Sequence, residues 1–271
     1  LLQLPMKILK VGGGSSINWD YIGEDVAKFL KKEQLIIVHG AGSIRDKIAT
    51  QLNTPSRTII SPSGFPSTYT DKKAMEVFLM VYPGLVNKQI VAKLQSYGVN
   101  AVGLSGVDGR LWQAKRKKEI LSQEGTKIKV IKDSFTGRVE KINSGLLHLL
   151  LNAQYTPVLC PPAISGEHEI VNTDNDTATA VLAKEMKCRE IIMLFEAPGL
   201  LENHKDESTL IKHIPKEKID DYLQYAQGRM KKKLLGAKQA FSTGVTKIYW
   251  GDGRISQPIS QLLKGKGTII S

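Results

Sequence analysis

Residues 7–16, KILKVGGGSS, join a short apolar run to three consecutive glycines. Ile8, Leu9 and Val11 fit a buried β-strand, and three glycines follow where the chain has to turn. Lys10 stands two residues before those glycines. Glycine lets an anion approach bare backbone N–H groups, and a lysine ammonium group adds a charged donor. The stretch therefore indicates a polyphosphate site, while a purely structural turn is left open for this motif taken alone.

The same arrangement of strand and glycine turn recurs in residues 35–43, LIIVHGAGS. Between the two strands, Ile22, Val26 and Phe29 share one helical face, which predicts a βαβ unit with parallel strands. Both glycine turns are then expected at the same edge of the sheet. A dinucleotide fingerprint would need glycine at Arg45, and no P-loop motif (GxxxxGKS or GxxxxGKT) occurs. Rossmann and P-loop sites are therefore not expected.

Strands and helical segments alternate along the whole chain. This order predicts an α/β fold, a three-layer αβα sandwich with a central, mainly parallel sheet. Ligands of such a sheet bind at the carboxyl ends of its strands. We expect two lobes that meet near residues 165–172, where prolines and Gly166 precede a polar run, VNTDND (residues 171–176).

Residues 61–71, SPSGFPSTYTD, form a loop rich in Ser, Pro and Thr that ends in a helix cap, Thr70-Asp71. Its hydroxyl groups suit the wall of a small polar substrate site, and an ordinary surface loop is the alternative. The helix after it is apolar over a wide arc, which predicts packing against a core or a twofold partner. Pro83-Gly84 is expected to break or kink that helix.

The composition is typical of a globular enzyme: 271 residues, 41% hydrophobic and 24% charged, with a formal net charge of +12. No apolar run reaches the roughly 20 residues of a membrane span, so we expect a cytoplasmic protein without a membrane partner. Cys160 and Cys188 lack metal-site spacing, so we expect reduced thiols and no metal site. The positive charge predicts an acidic partner: nucleic acid, an anionic substrate or an acidic protein.

Basic residues are concentrated in residues 115–132. A solvated hairpin and a docking surface for an acidic macromolecule both explain such a run. Because aromatic residues are nearly absent there, nucleic acid is not the expected partner. A second group of lysines, in GRMKKK (residues 228–233), opens a helix. Cations oppose the macrodipole at a helix N-terminus, so an anion bound there would reverse this local cost.

Taken together, these motifs resemble the amino acid kinase family from one end of the chain to the other. The segments that carry the resemblance are KVGGG (10–14), VHGAG (38–42), SGFPSTYTD (63–71), VNTDND (171–176), APGLL (197–201) and GRMKKK (228–233). Within the family, the sequence is similar to the acetylglutamate kinase branch, and most of all to kinases of 2-aminoadipate or glutamate attached to an acidic amino-group carrier protein. Isopentenyl phosphate kinases differ, because a histidine follows their second glycine turn where this chain has SIRD (43–46).

The resemblance implies phosphoryl transfer from Mg-ATP to a side-chain carboxylate, with an acceptor lobe of residues 1–168 and an ATP-binding lobe of residues 169–271. It implies that Lys10 and Lys233 flank the transferred group and that Asp176 orients both lysines. The residues implied at phosphate or ATP are Gly12, Gly13, Gly40, Gly199, Leu200 and Met230. Those implied at the acceptor are Ala41, Gly42, Gly64, Thr68 and Asn172. Mg²⁺ would be held by phosphates and water, and the protein is expected to be a homodimer without arginine feedback.

Two positions depart from the pattern of the family. Thr68 stands where the relatives carry an arginine that clamps the α-carboxylate of the acceptor, which leaves the identity of the acceptor open. Ala41 replaces a glycine of the second turn and therefore requires a negative φ. Free N-acetylglutamate is retained as an alternative acceptor, and a weakly active regulatory protein as an alternative function. The presence of Lys10, Asp176 and Lys233 argues against the regulatory protein.

Overall fold

The computed structural model describes residues 5–271. Within this range the chain alternates between strands and helices. The strands are β1 (Met6–Val11), β2 (Gln34–His39), β3 (Arg57–Ile60), β4 (Pro66–Tyr69), β5 (Ala101–Gly106), β6 (Trp112–Arg116), β7 (Ile120–Glu124), β8 (Lys127–Ile131), β9 (Thr136–Ile142), β10 (Thr156–Ser165), β11 (Ile170–Thr173), β12 (Glu190–Phe195), β13 (His213–Ile214), β14 (Lys247–Asp252) and β15 (Thr268–Ile270). The α-helices are α1 (Trp19–Phe29), α2 (Gly42–Gln51), α3 (Lys72–Leu79), α4 (Asn87–Ser96), α5 (Ser144–Asn152), α6 (Asn175–Glu185), α7 (Arg229–Phe241) and α8 (Pro258–Leu263). Shorter helical segments are the π-helical Met80–Val86 and the 3₁₀ segments Asp108–Arg110, Glu207–Thr209 and Lys216–Tyr225.

Parallel strands form the centre of the large sheet, in the order β5, β10, β2, β1, β12, β14. Most of them are apolar along nearly their whole length, as expected for strands covered on both faces. β15 and β13 extend the sheet beyond β14, and β6, β9 and β11 extend it beyond the end of β10. The predicted mainly parallel central sheet is confirmed, within a mixed α/β fold.

Successive residues of β1 face opposite sides of the sheet and belong to two separate hydrophobic cores. Ile8 packs in one core, to which α5, α6 and α7 contribute. Leu9 and Val11 pack in the other, to which α1, α2, α3, α4 and α8 contribute. Because side chains of a strand alternate between its faces, one apolar strand supports helices on both sides. Lys10 lies close to the carboxyl edge of the sheet and alternates with Leu9 and Val11, so it faces the side of the first core, where α6 and α7 lie.

Of the break or kink expected at Pro83-Gly84, a break does not occur, because the chain stays helical there, and a kink stays a prediction. The chain remains helical through the π-helical segment Met80–Val86, which joins α3 directly to α4. A π-helical turn changes the backbone hydrogen-bond pattern locally, and this accommodates a proline that has no N–H to donate. The rings of Phe78 and Tyr82 stack across the junction, 3.9 Å apart between centroids.

Two hairpins stand apart from the large sheet, one formed by β3 and β4 and the other by β7 and β8. They lie beside each other, with β7 packed against β3. The expected division between the lobes, after residue 168, falls in the turn between β10 and β11 and stays a prediction. No helix within residues 5–271 is long and apolar enough to cross a membrane.

Candidate active site

The glycine turns after β1 and β2 interlock at the carboxyl edge of the sheet. The N–H of Ser43 donates to the Gly13 carbonyl at 3.0 Å. A Cβ on Gly13 would lie 2.4 Å from the Ala41 nitrogen, so no side chain fits between the two turns. Ala41 has φ −146°, the negative value that its side chain requires, which explains why alanine is accepted there.

Backbone hydrogen bonds decide which N–H groups of these turns remain available to an anion. The N–H of Gly12 donates to a carbonyl of β12 at 2.8 Å, and that of Gly40 donates to a carbonyl of β1 at 3.0 Å. The N–H groups of Gly13 and Gly42 have no hydrogen-bond partner among the described residues. Gly12 and Gly40 stay predicted phosphate neighbours, but the available donors belong to the other two glycines.

The polar run at residues 171–176 ends β11 and starts α6. Asp174 caps this helix, because its side chain accepts hydrogen bonds from the N–H and the hydroxyl of Thr177 at 2.9 and 3.0 Å. Asp176 lies in the first turn, where the partial positive charge of the helix N-terminus favours a carboxylate. Helix capping therefore explains Asp174 but not Asp176, whose carboxylate is available to the candidate active site.

Asp176 contacts two lysines that are far apart in the sequence. Its Oδ1 lies 2.7 Å from Nζ of Lys10 in β1, and its Oδ2 lies 3.5 Å from Nζ of Lys233 in α7. Only 7% of the Lys10 side chain and 12% of the Lys233 side chain are exposed. The fold thus brings together the three residues that sequence analysis assigned to catalysis.

Burial and mutual charge set the protonation of these three groups. Burial opposes the charged form of Lys10, but the adjacent Asp176 carboxylate outweighs it and raises the pKa of Lys10 above its usual value. Burial also opposes the charged form of Asp176, yet the two lysines hold the pKa of this carboxyl well below its usual range. Burial first, and repulsion by Lys10 second, lower the pKa of Lys233 to about 8. An anion bound beside Lys233 would raise that pKa again.

Close packing of α7 against α6 brings Lys233 to Asp176. A Cβ placed on Gly236, one turn after Lys233, would come within 3.4 Å of the Asp176 Cβ. The Lys233 ammonium group also lies 5.3 Å from the centre of the Phe195 ring, at the end of β12. Sequence analysis missed both neighbours. A glycine inside a helical pattern was the available signal for Gly236, because such a residue often marks a close approach.

A second polar network, also missed from the sequence, holds the turn after β2. The Nδ2 of Asn175 donates to the His39 carbonyl at 2.9 Å, and the Nδ2 of Asn87 contacts the His39 Nε2 at 3.0 Å. Burial lowers the pKa of His39 to about 4, so the ring is neutral and accepts the Asn87 hydrogen bond. These side chains tie the turn to the first residues of α6 and α4. The Oδ1 of Asn175 is buried and has no hydrogen-bond partner among the described residues.

Of the residues expected at the acceptor, Gly64, Thr68 and Asn172 lie on the β3–β4 hairpin or beside it, and Ala41 and Gly42 belong to the glycine turn after β2. The Nδ2 of Asn172 donates to the Thr70 hydroxyl at 3.0 Å, and that hydroxyl donates to the Thr68 carbonyl at 3.2 Å. Thr68 and Thr70 line a small cavity together with Arg45. Gly64 lies between β3 and β4 with φ +82°, a left-handed value that favours glycine. The contacts of these residues with an acceptor stay predictions.

The residues expected at the nucleotide lie after β12 and at the start of α7. A Cβ on Gly199 would meet the Thr268 hydroxyl at 2.3 Å, and the N–H of Leu200 donates to the same hydroxyl at 2.8 Å. The Leu200 side chain is buried in the core, and Met230 is half-buried. Gly199 and Leu200 therefore shape the turn after β12. The roles of these residues at the nucleotide stay predictions.

The site fits phosphate oxygens better than it fits a metal ion held by the protein alone. Two ammonium groups and the available N–H groups of Gly13 and Gly42 are donors that phosphate oxygens accept. Within residues 5–271, no group of three or more His, Cys, Asp and Glu side chains is arranged to hold a metal ion. The Asp176 carboxylate is already shared between two lysines.

Two cations at bare backbone N–H groups, with one carboxylate that neutralises part of their charge, are suited to the transfer of a phosphoryl group. The chain belongs to the amino acid kinase family, whose model matches residues 5–250. The family predicted from the sequence is thereby confirmed.

Individual relatives and structures agree with this assignment. A Deinococcus radiodurans protein named "[LysW]-aminoadipate kinase" is 45% identical over 267 residues, which cover 98% of this chain and 91% of the relative. An acetylglutamate kinase of Methanopyrus kandleri is 32% identical over 267 residues, which cover 98% of this chain and 100% of the relative. The crystal structure of smu.665 from Streptococcus mutans has a TM-score of 0.78 at 21% identity and covers 98% of both chains. This last likeness shows the fold alone.

Proposed function

We propose that the protein transfers the γ-phosphoryl group of ATP to the side-chain carboxylate of L-2-aminoadipate or L-glutamate whose amino group is attached to a small acidic carrier protein. The product is an acyl phosphate suited to lysine or arginine biosynthesis. The observation that supports phosphoryl transfer is the contact of Asp176 with both Lys10 and Lys233. The acceptor is supported by the 45% identical relative, whose name joins aminoadipate to LysW.

Lys10 and Lys233 neutralise charge on the phosphoryl group while it moves. A carboxylate oxygen of the acceptor forms the new bond to the γ-phosphorus as the bond to the β–γ bridging oxygen breaks, which gives the acyl phosphate and ADP. Such a transition state carries its charge on the phosphoryl oxygens, so fixed cations on both sides stabilise it. No side chain has to take a proton, because the attacking carboxylate is already ionised.

Asp176 positions the two ammonium groups. Without a carboxylate between them, two buried cations would repel each other and lose protons. Asp176 binds both, keeps Lys10 charged and itself stays ionised at neutral pH. Mg²⁺, when bound with the nucleotide, supplies further neutralisation of phosphate charge and would be held by phosphate oxygens and water.

The lysine-bearing hairpin of β7 and β8 is the proposed docking surface for the carrier. Lys127 and Lys129 are exposed on it, next to the exposed apolar side chains of Ile128 and Val130. The Tyr69 hydroxyl donates to Asp133 at 2.5 Å and so joins the end of this hairpin to β4, the strand that carries Thr68. A basic surface beside the acceptor-binding hairpin steers an acidic carrier toward the site.

Arg116, which belonged to the expected basic surface, is engaged within the protein. Its guanidinium group lies 4.1 Å from the Phe135 ring centre, contacts Glu169 and donates to the Ser134 carbonyl at 3.2 Å. We therefore assign docking to the exposed lysines and a structural role to Arg116.

A homodimer is proposed through the π-helical segment between α3 and α4. Met80 is 53% exposed and Leu85 39% exposed on this segment, and apolar side chains in such a position suit contact with a second copy. Small-angle scattering tests the assembly. A monomer mass that does not change with concentration would exclude the dimer.

An assay of ADP release with different acceptors tests the proposed function. We expect turnover with carrier-linked 2-aminoadipate or carrier-linked glutamate, and much slower turnover with free N-acetylglutamate. The alternative of an acetylglutamate kinase, the name of the 32% identical relative, predicts the opposite order. The alternative of a regulatory protein predicts no turnover with any of the three.

A further inference from the structure

Three consecutive lysines lie near the start of α7, and the proposed reaction uses only the last of them, Lys233. The head groups of Lys231 and Lys232 lie away from Asp176, the carboxylate that Lys233 contacts. Cations in the first turn of a helix oppose its dipole, and the start of α7 has neither an acidic residue nor a side-chain cap to offset them. A partner outside the helix would offset this cost.

The partners of Lys231 and Lys232 both belong to the tip of the β3–β4 hairpin. The Nζ of Lys232, a partly buried side chain, donates a hydrogen bond to the carbonyl of Pro66, the first residue of β4. Lys231 is exposed, and its Nζ lies 5.9 Å from the centre of the Phe65 ring. A hydrogen bond from an ammonium group is directional and strong, whereas an exposed cation near a ring is held weakly. Lys232 therefore makes the firmer of the two contacts.

The β3–β4 hairpin stands apart from the large sheet, so its position depends on contacts with its surroundings. At its base, the Tyr69 hydroxyl donates to Asp133 at 2.5 Å. At its tip, the turn is closed by its own hydrogen bonds, including one from the Ser61 N–H to the Phe65 carbonyl at 3.0 Å. The tip is thus a defined unit, and Lys232 joins it to α7.

Helix α7 is a firm support for this hydrogen bond. Leu234 is fully buried in the first core, and a Cβ on Gly236 would lie 3.4 Å from the Asp176 Cβ. Lys233, the residue after Lys232, contacts the same Asp176 at 3.5 Å. The ammonium group that holds the hairpin and the one proposed to bind the phosphoryl group therefore project from one turn of a packed helix.

Pro66 lies on the strand that carries Thr68, an expected neighbour of the acceptor. Two residues of a strand are about 7 Å apart, and their side chains share a face. All four residues of β4 pair with β3, so a displacement of Pro66 shifts Thr68 as well. The hydrogen bond from Lys232 thus sets the distance between the acceptor strand and Lys233.

We infer that Lys232 is a positioning residue, whose hydrogen bond to the Pro66 carbonyl holds the acceptor-binding hairpin at a fixed distance from Lys233. The acceptor carboxylate then meets the phosphoryl group in a defined geometry. Lys232 acts through the hairpin and is not itself a catalytic residue. Its effect on the acceptor rests on the proposed function, whereas the hydrogen bond can be tested without any substrate.

Distances between two spin labels test this hydrogen bond in the whole chain. Ser67→Cys on β4 and Ser242→Cys after α7 give exposed attachment points, while the native Cys160 and Cys188 are buried. Double electron–electron resonance should give a narrow distance distribution when Lys232 is present. Lys232→Met removes the donor and should broaden the distribution, whereas Lys232→Arg keeps a charged donor and should leave it narrow.

Steady-state kinetics tests the consequence for the reaction. Lys232→Met should lower kcat/KM for carrier-linked 2-aminoadipate about 10- to 100-fold, the range expected when a hydrogen bond from a charged group is lost. KM for ATP should change less than about twofold, because the hairpin holds the acceptor. The pKa of Lys233 should stay at about 8, because burial, Lys10 and Asp176 set it.

Lys231→Met is the matched control for charge. It removes a cation from the adjacent position, where the lysine makes no hydrogen bond with the described residues. Both the distance distribution and kcat/KM should therefore remain close to those of the wild type.

The outcomes that overturn the inference differ from a failure of the proposed function. An unchanged distance distribution in Lys232→Met, or one as broad in Lys232→Arg, would exclude the hydrogen bond as the support of the hairpin. Equal losses of kcat/KM in Lys231→Met and Lys232→Met would point to charge alone, while the kinase assignment stands. If the distribution broadens as expected but the wild type turns over no carrier-linked acceptor, the proposed function fails and the support of the hairpin stands.

Discussion

The carboxylate of Asp176 lies 2.7 Å from the ammonium group of Lys10, and both side chains are mostly buried. Residue 10 lies near the end of the first strand and residue 176 in the first turn of a helix of the second half of the chain, so the pair exists only in the folded protein. Lys233 approaches the same carboxylate from α7 at 3.5 Å. The charges of one site therefore come from three separate parts of the chain.

Replacing Lys10 or Lys233 with alanine should lower kcat by about 10²- to 10³-fold, since each removes a cation from the transition state. KM for the acceptor should change much less, because the effect falls on the transferred group. Steady-state kinetics of both variants with carrier-linked acceptor checks this. Turnover close to that of the wild type in either variant would refute the assigned roles.

The fall of kcat/KM at alkaline pH should follow the loss of the Lys233 proton, because burial and Lys10 lower the pKa of Lys233 to about 8. As pH rises through this value, Lys233 loses its proton in the free enzyme, so kcat/KM should fall above about pH 8. Lys233→Arg is the matched control, because a guanidinium group stays charged and should remove this fall. A wild-type kcat/KM that remains constant up to about pH 9.5 would contradict the prediction.

Asp176→Asn should lower kcat and move the alkaline fall of kcat/KM to lower pH. The amide cannot offset the charges of Lys10 and Lys233, so both lysines should lose their protons more readily. Asp174→Asn is the control, because asparagine also caps a helix N-terminus. An unchanged pH profile in Asp176→Asn, or an equal effect of Asp174→Asn, would show that Asp176 does not set the lysine pKa values.

Much of the fold was predictable because its signals are local. β1 and β2 are apolar runs that end in glycine turns, and both features can be recognised in the sequence alone. The network of Asn175, His39 and Asn87 was not predictable, since its members are brought together by strand register and helix packing. The same holds for Gly236, whose importance lies in the distance to a helix that starts at residue 175.

The site was predictable in its residues but not in its contacts. The motifs named Lys10, Asp176 and Lys233, and the fold places them in contact. The motifs also named Gly12 and Gly40 as phosphate neighbours, but strand-end hydrogen bonds use their N–H groups. The pairing of β1 with β2 and β12 decides which glycine N–H groups stay available. A sequence motif does not show this pairing, so the available donors could not be predicted.

Gly13→Ala should destabilise the protein by about 3 kcal/mol or more, because its Cβ would meet backbone atoms of the next turn. Gly12→Ala is the matched control: a Cβ there makes only ordinary contacts, at 3.5 Å, and should cost about 1 kcal/mol at most. The free energy of unfolding in denaturant measures both. Equal stabilities would mean that the two turns do not interlock.

Charge reversal on the lysine-bearing hairpin should weaken recognition of the carrier. Lys127→Glu/Lys129→Glu should raise KM for the carrier-linked acceptor about tenfold and reduce its dependence on salt. Lys31→Glu/Lys32→Glu is the control, since it changes the same charge at exposed positions after α1. Equal effects of the two pairs would point to net charge, and no effect of either would exclude this docking surface.

Trapping with hydroxylamine measures directly whether a carboxylate on a carrier-linked acceptor is phosphorylated, because hydroxylamine converts an acyl phosphate into a hydroxamate. Incubation with Mg-ATP and carrier-linked 2-aminoadipate should give an acyl hydroxamate with the wild type and almost none with Lys10→Ala. Release of ADP without hydroxamate, or hydroxamate with N-acetylglutamate but with no carrier-linked acceptor, would contradict the proposed function.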